Sequence, residues 1–210
     1  MIALLGDSVF DNENYVKSKK EAVEIVIRKL GYECNLYAVD GAIISSVYSQ
    51  IEKLKSESET NNKIVLSVGG NNALSSLNLL YNNMHLPMNE IFSVLKEFLL
   101  EFEKEIQNLY SHLSKKFEGQ PIFITNIYYP CFEFKDRNLF FNSIKEGGHH
   151  LKILKVVDVL NGIIKVRAEE FSFKLIDINS AFNKKKYYAN EIEPSYQGSK
   201  LLAELIINEI

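Results

Sequence analysis

Met1-Ile2-Ala3-Leu4-Leu5-Gly6-Asp7-Ser8 is the stretch on which the reading of the chain turns. Residues 1–5 make an apolar run long enough for a buried strand, and Gly6 ends it where the backbone has to turn sharply. Ser8 then sits at the carboxyl end of that strand. In open α/β sheets this edge is where ligands bind, because loops from several strands converge on it.

Downstream, strand-like runs alternate with helical periods. Ala22, Val23, Val26, Ile27 and Leu30 recur at helical spacing over 17–30, and Gly31 supplies a stop. Residues 34–39 read as a second strand, Asp40-Gly41 as a turn, and 44–55 as a helix with Val47, Ile51 and Leu54 on one face. Residues 63–68 give a third strand, Gly69-Gly70-Asn71-Asn72 its loop, and 74–81 a short helix. Three strand–helix units in succession imply parallel pairing. A long helix is predicted over 88–117, where Ile91, Leu95, Phe98, Phe102, Ile106 and Leu113 keep a helical period. Gly119-Gln120-Pro121 breaks it; a strand over 122–127, a helix over 151–171, a strand over 173–178 and a helix over 195–210 follow. With right-handed crossovers, the expected fold class is α/β: a three-layer αβα sandwich on a five-stranded parallel sheet, flavodoxin-like in outline. The expectation is one domain over 1–210, in which 128–150 has no clean period and reads as an irregular substrate-side insertion or lid.

A chain of 210 residues, 46% hydrophobic and 24% charged, can bury a sizeable core without metal or disulfide staples. Its net charge of -3 argues against a nucleic-acid partner, and Lys184-Lys185-Lys186 reads as a solvated loop tip. Cys34 and Cys131 are too few and too far apart for a zinc site or a redox pair. No run approaches the roughly 18 apolar residues of a membrane span. Asp7 interrupts the apolar start before a signal-peptide core of about 7–15 residues is complete, so the expected location is cytoplasmic. No Gly-x-Gly-x-x-Gly or P-loop supports a nucleotide binder, and neither a cofactor nor a metal is implied. Oligomeric state is not legible.

Four loops carry chemistry. They are Gly6-Asp7-Ser8, Val39-Asp40-Gly41-Ala42, Gly69-Gly70-Asn71-Asn72 and Ala189-Asn190-Glu191-Ile192-Glu193-Pro194-Ser195. In order and location, over nearly the whole chain, they resemble the blocks of the SGNH, or GDSL, hydrolases. The resemblance implies Ser8 as a nucleophile toward a small-molecule ester or acylated substrate. It also implies donors from Ser8, the Gly41 backbone N–H and the Asn71 side chain for the oxyanion of the tetrahedral intermediate. In the third block Asn72 stands where the family usually has aspartate, a supporting position.

The last block departs further. The family ends in Asp-x-x-His, often followed by Pro-Asn and a glycine. Pro194 and Gly198 fix the register here, and they put Glu193 in the histidine's place and Asn190 in the aspartate's. The Ile-Glu-Pro-Ser ending, with Phe10-Asp11-Asn12 and Tyr15-Val16 near the start, looks like a variant subgroup of GDSL-like bacterial proteins. A carboxylate buried beside a serine can have a raised pKa and accept its proton, so a Ser8–Glu193 dyad with Asn190 as orienter is expected.

The alternative is a catalytically impaired SGNH-like protein that holds a small acyl or glycan ligand in the same cleft. Structural duties compete residue by residue. Ser8 or Glu193 can cap a helix, and Asn71 can satisfy loop backbone groups. His85, His112, His149 and His150 are the imidazoles available as a displaced base, and only His149-His150 sit in the irregular region. Tyr128 and Tyr129 either line the pocket or cover core.

Overall fold

Ile2, Ala3, Leu4 and Leu5 are each no more than 2% exposed, so β1 (Ile2–Gly6) has to be covered on both faces. In the computed structural model, which describes residues 1–57, 62–82, 87–134 and 139–210, β1 lies inside a five-stranded parallel sheet. Its partners are β2 (Cys34–Leu36) on one side and β3 (Lys63–Ser67) on the other. Beyond β3 come β4 (Ile122–Thr125) and β5 (Lys174–Ile176), giving the order β2-β1-β3-β4-β5. This is the flavodoxin-like doubly wound order, whose direction of winding reverses between β1 and β3 and opens a crevice at their carboxyl ends.

Alternation along β1 builds two cores, because successive side chains point to opposite faces. Ala3 and Leu5 pack with Val47, Ile51 and Leu54 of α2 (Val47–Glu57), with Phe102, Ile106 and Leu109 of α4 (Met88–Lys116), and with Leu160 of α6 (His150–Glu170). Ile2 and Leu4 pack with Val23 and Ile27 of α1 (Val23–Lys29) and Leu202 and Ile206 of α8 (Tyr196–Glu209). A third, small cluster joins Leu77 of α3 (Gly70–Asn82), Ile144 of α5 (Leu139–Glu146) and Ile153 of α6. The chain is therefore a three-layer αβα sandwich, with a short α7 (Ile178–Ala181) after β5. No described helix is long and apolar enough to cross a membrane.

Element ends differ from the sequence expectation where distant side chains intervene. The helix expected over 17–30 is one 3-10 turn, Lys19–Glu21, followed by α1, whose Val23 N–H is taken by the buried Asn12 Oδ1 at 3.1 Å; a further 3-10 turn, Glu13–Tyr15, precedes the expected range. The strand expected to Val39 ends at Leu36, because the N–H groups of Tyr37 and Ala38 both turn onto the Leu4 carbonyl. α3 begins at Gly70, so Asn71 and Asn72 occupy its first turn rather than a loop. β5 stops at Ile176, since Asp177 caps α7 through Ser180 N–H. Within 128–150 the chain forms α5, while residues 135–138 lie outside the described set.

Candidate active site

The site begins with a close approach. Gly6 has φ +124°, and a Cβ there would lie 1.7 Å from the Ser67 carbonyl oxygen, so only glycine lets β1 end against β3 in this way. Gln50 of α2 grips the same residue from both sides: its Nε2 donates to Gly6 O at 2.8 Å and its Oε1 accepts from Gly6 N–H at 2.7 Å. Asp7 and Ser8 thus leave the sheet from a fixed point. Asn12, fully buried, donates through Nδ2 to Ser199 Oγ at 2.8 Å and lies 3.4 Å from Pro194 O. One amide therefore ties the Ser8 loop to the loop that carries Glu193.

That second loop is pinned independently. Tyr188 and Pro194 form an antiparallel bridge, Ala189 N–H donates to Glu193 O at 2.8 Å, and the Tyr128 hydroxyl donates to Ile192 O at 2.5 Å. Asn190 Oδ1 accepts from the N–H groups of both Ile192 and Glu193 at 2.9 Å, so its amide shapes the backbone under Glu193. The expected Asn190 contact is to the Glu193 carboxylate; the bonds it makes are to main chain. α8 is capped by Ser195, whose Oγ accepts from Gly198 N–H at 3.2 Å, which leaves the Glu193 carboxylate to the cavity.

Ser8 Oγ donates to Glu193 Oε1 at 3.2 Å, and the two residues are 8% and 6% exposed. Glu193 Oε2 is buried with no hydrogen-bond partner among the described residues. Burial pushes the Glu193 carboxyl up to about 7, against the Ser8 hydrogen bond and with the Asp40 charge acting in the same direction. Asp7, 3% exposed, lies in the same cavity wall. Burial pushes it up to about 7 as well, against the Val9 N–H bond and reinforced by the charges of Glu193 and Asp40. A group titrating near 7 can hold or release a proton at neutral pH, which an ordinary carboxyl cannot do.

The cavity has two characters. Its polar side is formed by Asp7, Ser8, Asn71, Asn126 and Glu193. Its other walls are Leu74 and Leu77 of α3, Phe141 of α5, Val157 of α6, Ile127 and Ile178. Among the described residues, no Lys, Arg or His lines it. Asn71 donates one amide hydrogen to Ala42 O at 2.9 Å, which joins α3 to the Gly41 loop; an amide nitrogen carries two. Gly41 itself, at φ +77°, is exposed and outside the cavity wall, beside Asp40, whose carboxylate takes the Tyr15 hydroxyl. Asn72 points elsewhere, accepting from Ile44 N–H and donating to Glu105, both at 3.1 Å.

The three described imidazoles stay away from this wall. His112 packs on Tyr48 and faces Glu52, His149 starts α6, and the His150 ring meets Phe132. His85 lies outside the described residues. Tyr128 lines the cavity, whereas the Tyr129 hydroxyl bonds Asp158. Three residues with clear duties escape a sequence reading: Asp7, Asn12 and Gln50. Gln50 carries a usable signal, a polar side chain three residues from Val47 and four from Leu54 on an otherwise apolar helix face. Burial of Asp7 has none.

No family model matches the chain, and no curated protein matches its sequence. Solved structures do match. An extracellular lipase from Streptomyces rimosus superposes with a TM-score of 0.71 at 13% identity, over 100% of this chain and 99% of the lipase. A phospholipase A1 from Streptomyces albidoflavus NA297 gives 0.67 at 15% identity, over 100% and 98%. A member of the lipolytic G-D-S-L family from Veillonella parvula DSM 2008 gives 0.59 at 16% identity, over 99% and 96%. Likeness at such identities is one of architecture, and it extends end to end: the chain has the three-layer αβα fold of the GDSL lipases and esterases.

Proposed function

We propose that the chain is a serine-dependent esterase or acyl hydrolase of SGNH type in which Glu193 replaces histidine as the base. The observation that carries this reading is the Ser8 Oγ–Glu193 Oε1 hydrogen bond, buried in the wall of a largely apolar cavity that no imidazole among the described residues lines. Ser8 Oγ attacks the ester carbonyl carbon while its proton passes to Glu193 Oε1. The carbonyl π pair moves onto oxygen, where the second Asn71 amide hydrogen and the backbone N–H of Ser8 are the donors that line the cavity. As the intermediate collapses, the C–O bond to the alcohol breaks and Glu193 returns its proton to that oxygen. Water then repeats the cycle on the acyl-enzyme: Glu193 takes a water proton, the acid leaves, and Ser8 regains its hydrogen.

The apolar walls favour an uncharged acyl chain, because Leu74, Leu77, Phe141 and Val157 offer apolar surface and, among the described residues, no lining cation would offset an anionic group. Fold neighbours named lipase, phospholipase A1 and acylhydrolase agree with an acyl substrate.

Hydrolysis of p-nitrophenyl acyl esters provides the test. Ser8→Ala and Glu193→Gln are each expected to lower kcat by about 10³-fold or more with little change in KM, since nucleophile and base act as a unit. A serine-directed phosphonate should label the wild type at Ser8. Full activity in Glu193→Gln would place the base elsewhere, and absence of both hydrolysis and labelling would favour an acyl-binding protein.

A further inference from the structure

Helix α6 is apolar on two sides, and the core accounts for only one of them. Its inner face, Ile153, Val157, Leu160, Ile164 and Ala168, is buried. Its outer face carries Val156, Val159, Ile163 and Val166 at alternating steps of three and four residues. Val159 is 48% and Val166 50% exposed, and Val156 and Ile163 are half-buried. Steps of three and four repeat every seven residues, the spacing with which one helix seats lengthwise on another. Beside the stripe runs an open groove between α6 and the first half of α4, walled by Phe92, Leu95, Leu99, Leu100 and Ile163, with Phe92 and Leu100 exposed. A helix apolar all round belongs in an interior. Among the described residues, nothing covers this face of α6.

The charges indicate what would cover it. Lys152 stands four residues before Val156, and Glu170 four residues after Val166. The series Lys152, Val156, Val159, Ile163, Val166, Glu170 is its own complement. Turned end for end about a two-fold axis beside position 161, it sets Lys152 on Glu170, Val156 on Val166 and Val159 on Ile163 of a second copy, each pairing made twice. Parallel helices would instead set Lys152 on Lys152 and Glu170 on Glu170. Arg167 of the same helix pairs with Glu170 and holds its carboxylate beside the stripe, with lone pairs left for a second donor. On one flank Lys155 comes opposite Glu169 of the second copy. Near the axis two Gly162 residues meet, where a Cβ would touch nothing of its own chain within 4 Å, so the backbones can close up. Glycine weakens a free helix, and here it serves a close approach. A lipid surface fits less well, since the exposed charges around the stripe have both signs, Lys152, Lys155 and Lys165 against Asp158, Glu169 and Glu170. We propose that the chain forms a two-fold symmetric dimer in which α6 pairs antiparallel with α6 of a second copy and α4 flanks the pair. The dimer does not depend on the hydrolase reading.

Sedimentation equilibrium across about 1–100 μM chain should show a species of twice the 24.1 kDa chain mass. Val159→Asp puts two unpaired carboxylates into the seam and should weaken association about 100-fold or more, while the half-exposed site keeps the circular dichroism of the wild type. Lys152→Glu and Glu170→Lys each make both end pairs repulsive and should weaken the dimer about tenfold; the two changes combined should restore it to within about threefold of the wild type. Lys152 and Glu170 lie roughly 27 Å apart along one helix, so no contact within a chain can produce that rescue. A wild type that stays monomeric over this range, a dimer that folded Val159→Asp leaves intact, or a double reversal no better than the single ones overturns the proposal. Monomers that cosediment with phosphatidylcholine–phosphatidylglycerol vesicles overturn it as well, and assign the face to lipid.

Discussion

In the proposed reaction, glutamate in place of histidine alters the charge bookkeeping of serine attack. A histidine base becomes a cation as the oxyanion forms, so the two can attract each other. Glu193 starts as an anion and ends neutral, so the negative charge moves from its carboxylate to the substrate oxygen. All stabilisation of that oxygen then falls to hydrogen-bond donors, which makes Asn71 the residue to test. Asn71→Ala is expected to lower kcat by about 10²–10³-fold, the usual cost of losing one oxyanion donor. Asn72→Ala, which breaks bonds to Ile44 and Glu105 outside the cavity, should leave kcat unchanged and lower stability by about 1 kcal/mol. Activity is expected to rise with pH as Glu193 loses its proton near 7, and loss of that limb in Glu193→Gln, with all four histidines in place, separates it from an imidazole base. Glu193 was legible because Pro194 and Gly198 fixed its register. The bonds of Asn190 were not, because nothing in a tetrad of letters says whether an amide serves a side chain or the main chain beneath it.

At the level of elements, the order of strands and helices followed from periodicity, whereas their ends were set by side chains far away in sequence. Asn12 starts α1 eleven residues later, and Gln50 holds the end of β1 from 44 residues away. Such bonds leave no local pattern, which is why a helix over 17–30 and a strand over 34–39 both proved too long. α4 shows the same limit in burial. Its period is helical throughout, yet Phe102, Ile106, Leu109 and Leu113 are fully buried while Ile91, Leu95, Phe98 and Leu99 are only half-buried. The Gly6–Gln50 clamp gives a sharp prediction. Gln50→Leu leaves Gly6 N–H buried without its Gln50 partner, while Gly6 C=O keeps the Val39 N–H, and should lower the unfolding free energy by about 1–3 kcal/mol in a urea titration. Gly6→Ala should yield no folded protein, because both the positive φ and the Ser67 oxygen oppose a Cβ there.

For the molecule as a whole, the same two carboxyls set a conflict between stability and activity. Asp7 and Glu193 titrate in the folded chain near 7, against ordinary values of 3.8 and 4.5. Between about pH 4 and 7 the folded state therefore holds more protons at these positions than the unfolded state does. Stability rises with pH only where the unfolded state binds more protons, so here the sign is reversed. Their contribution is most favourable below the ordinary carboxyl range, and it is lost as pH rises toward 7, the range in which Glu193 becomes a base. Removing either charge should relieve this loss. Asp7→Asn and Glu193→Gln are each expected to be more stable than the wild type at pH 8, by on the order of 2–4 kcal/mol, and close to it at pH 4. Urea unfolding of the three proteins at both pH values tests this as a difference between proteins, in which other titrating groups cancel. Variants equally stable or destabilised at pH 8 would mean that these two buried carboxyls ionise without penalty in the folded chain.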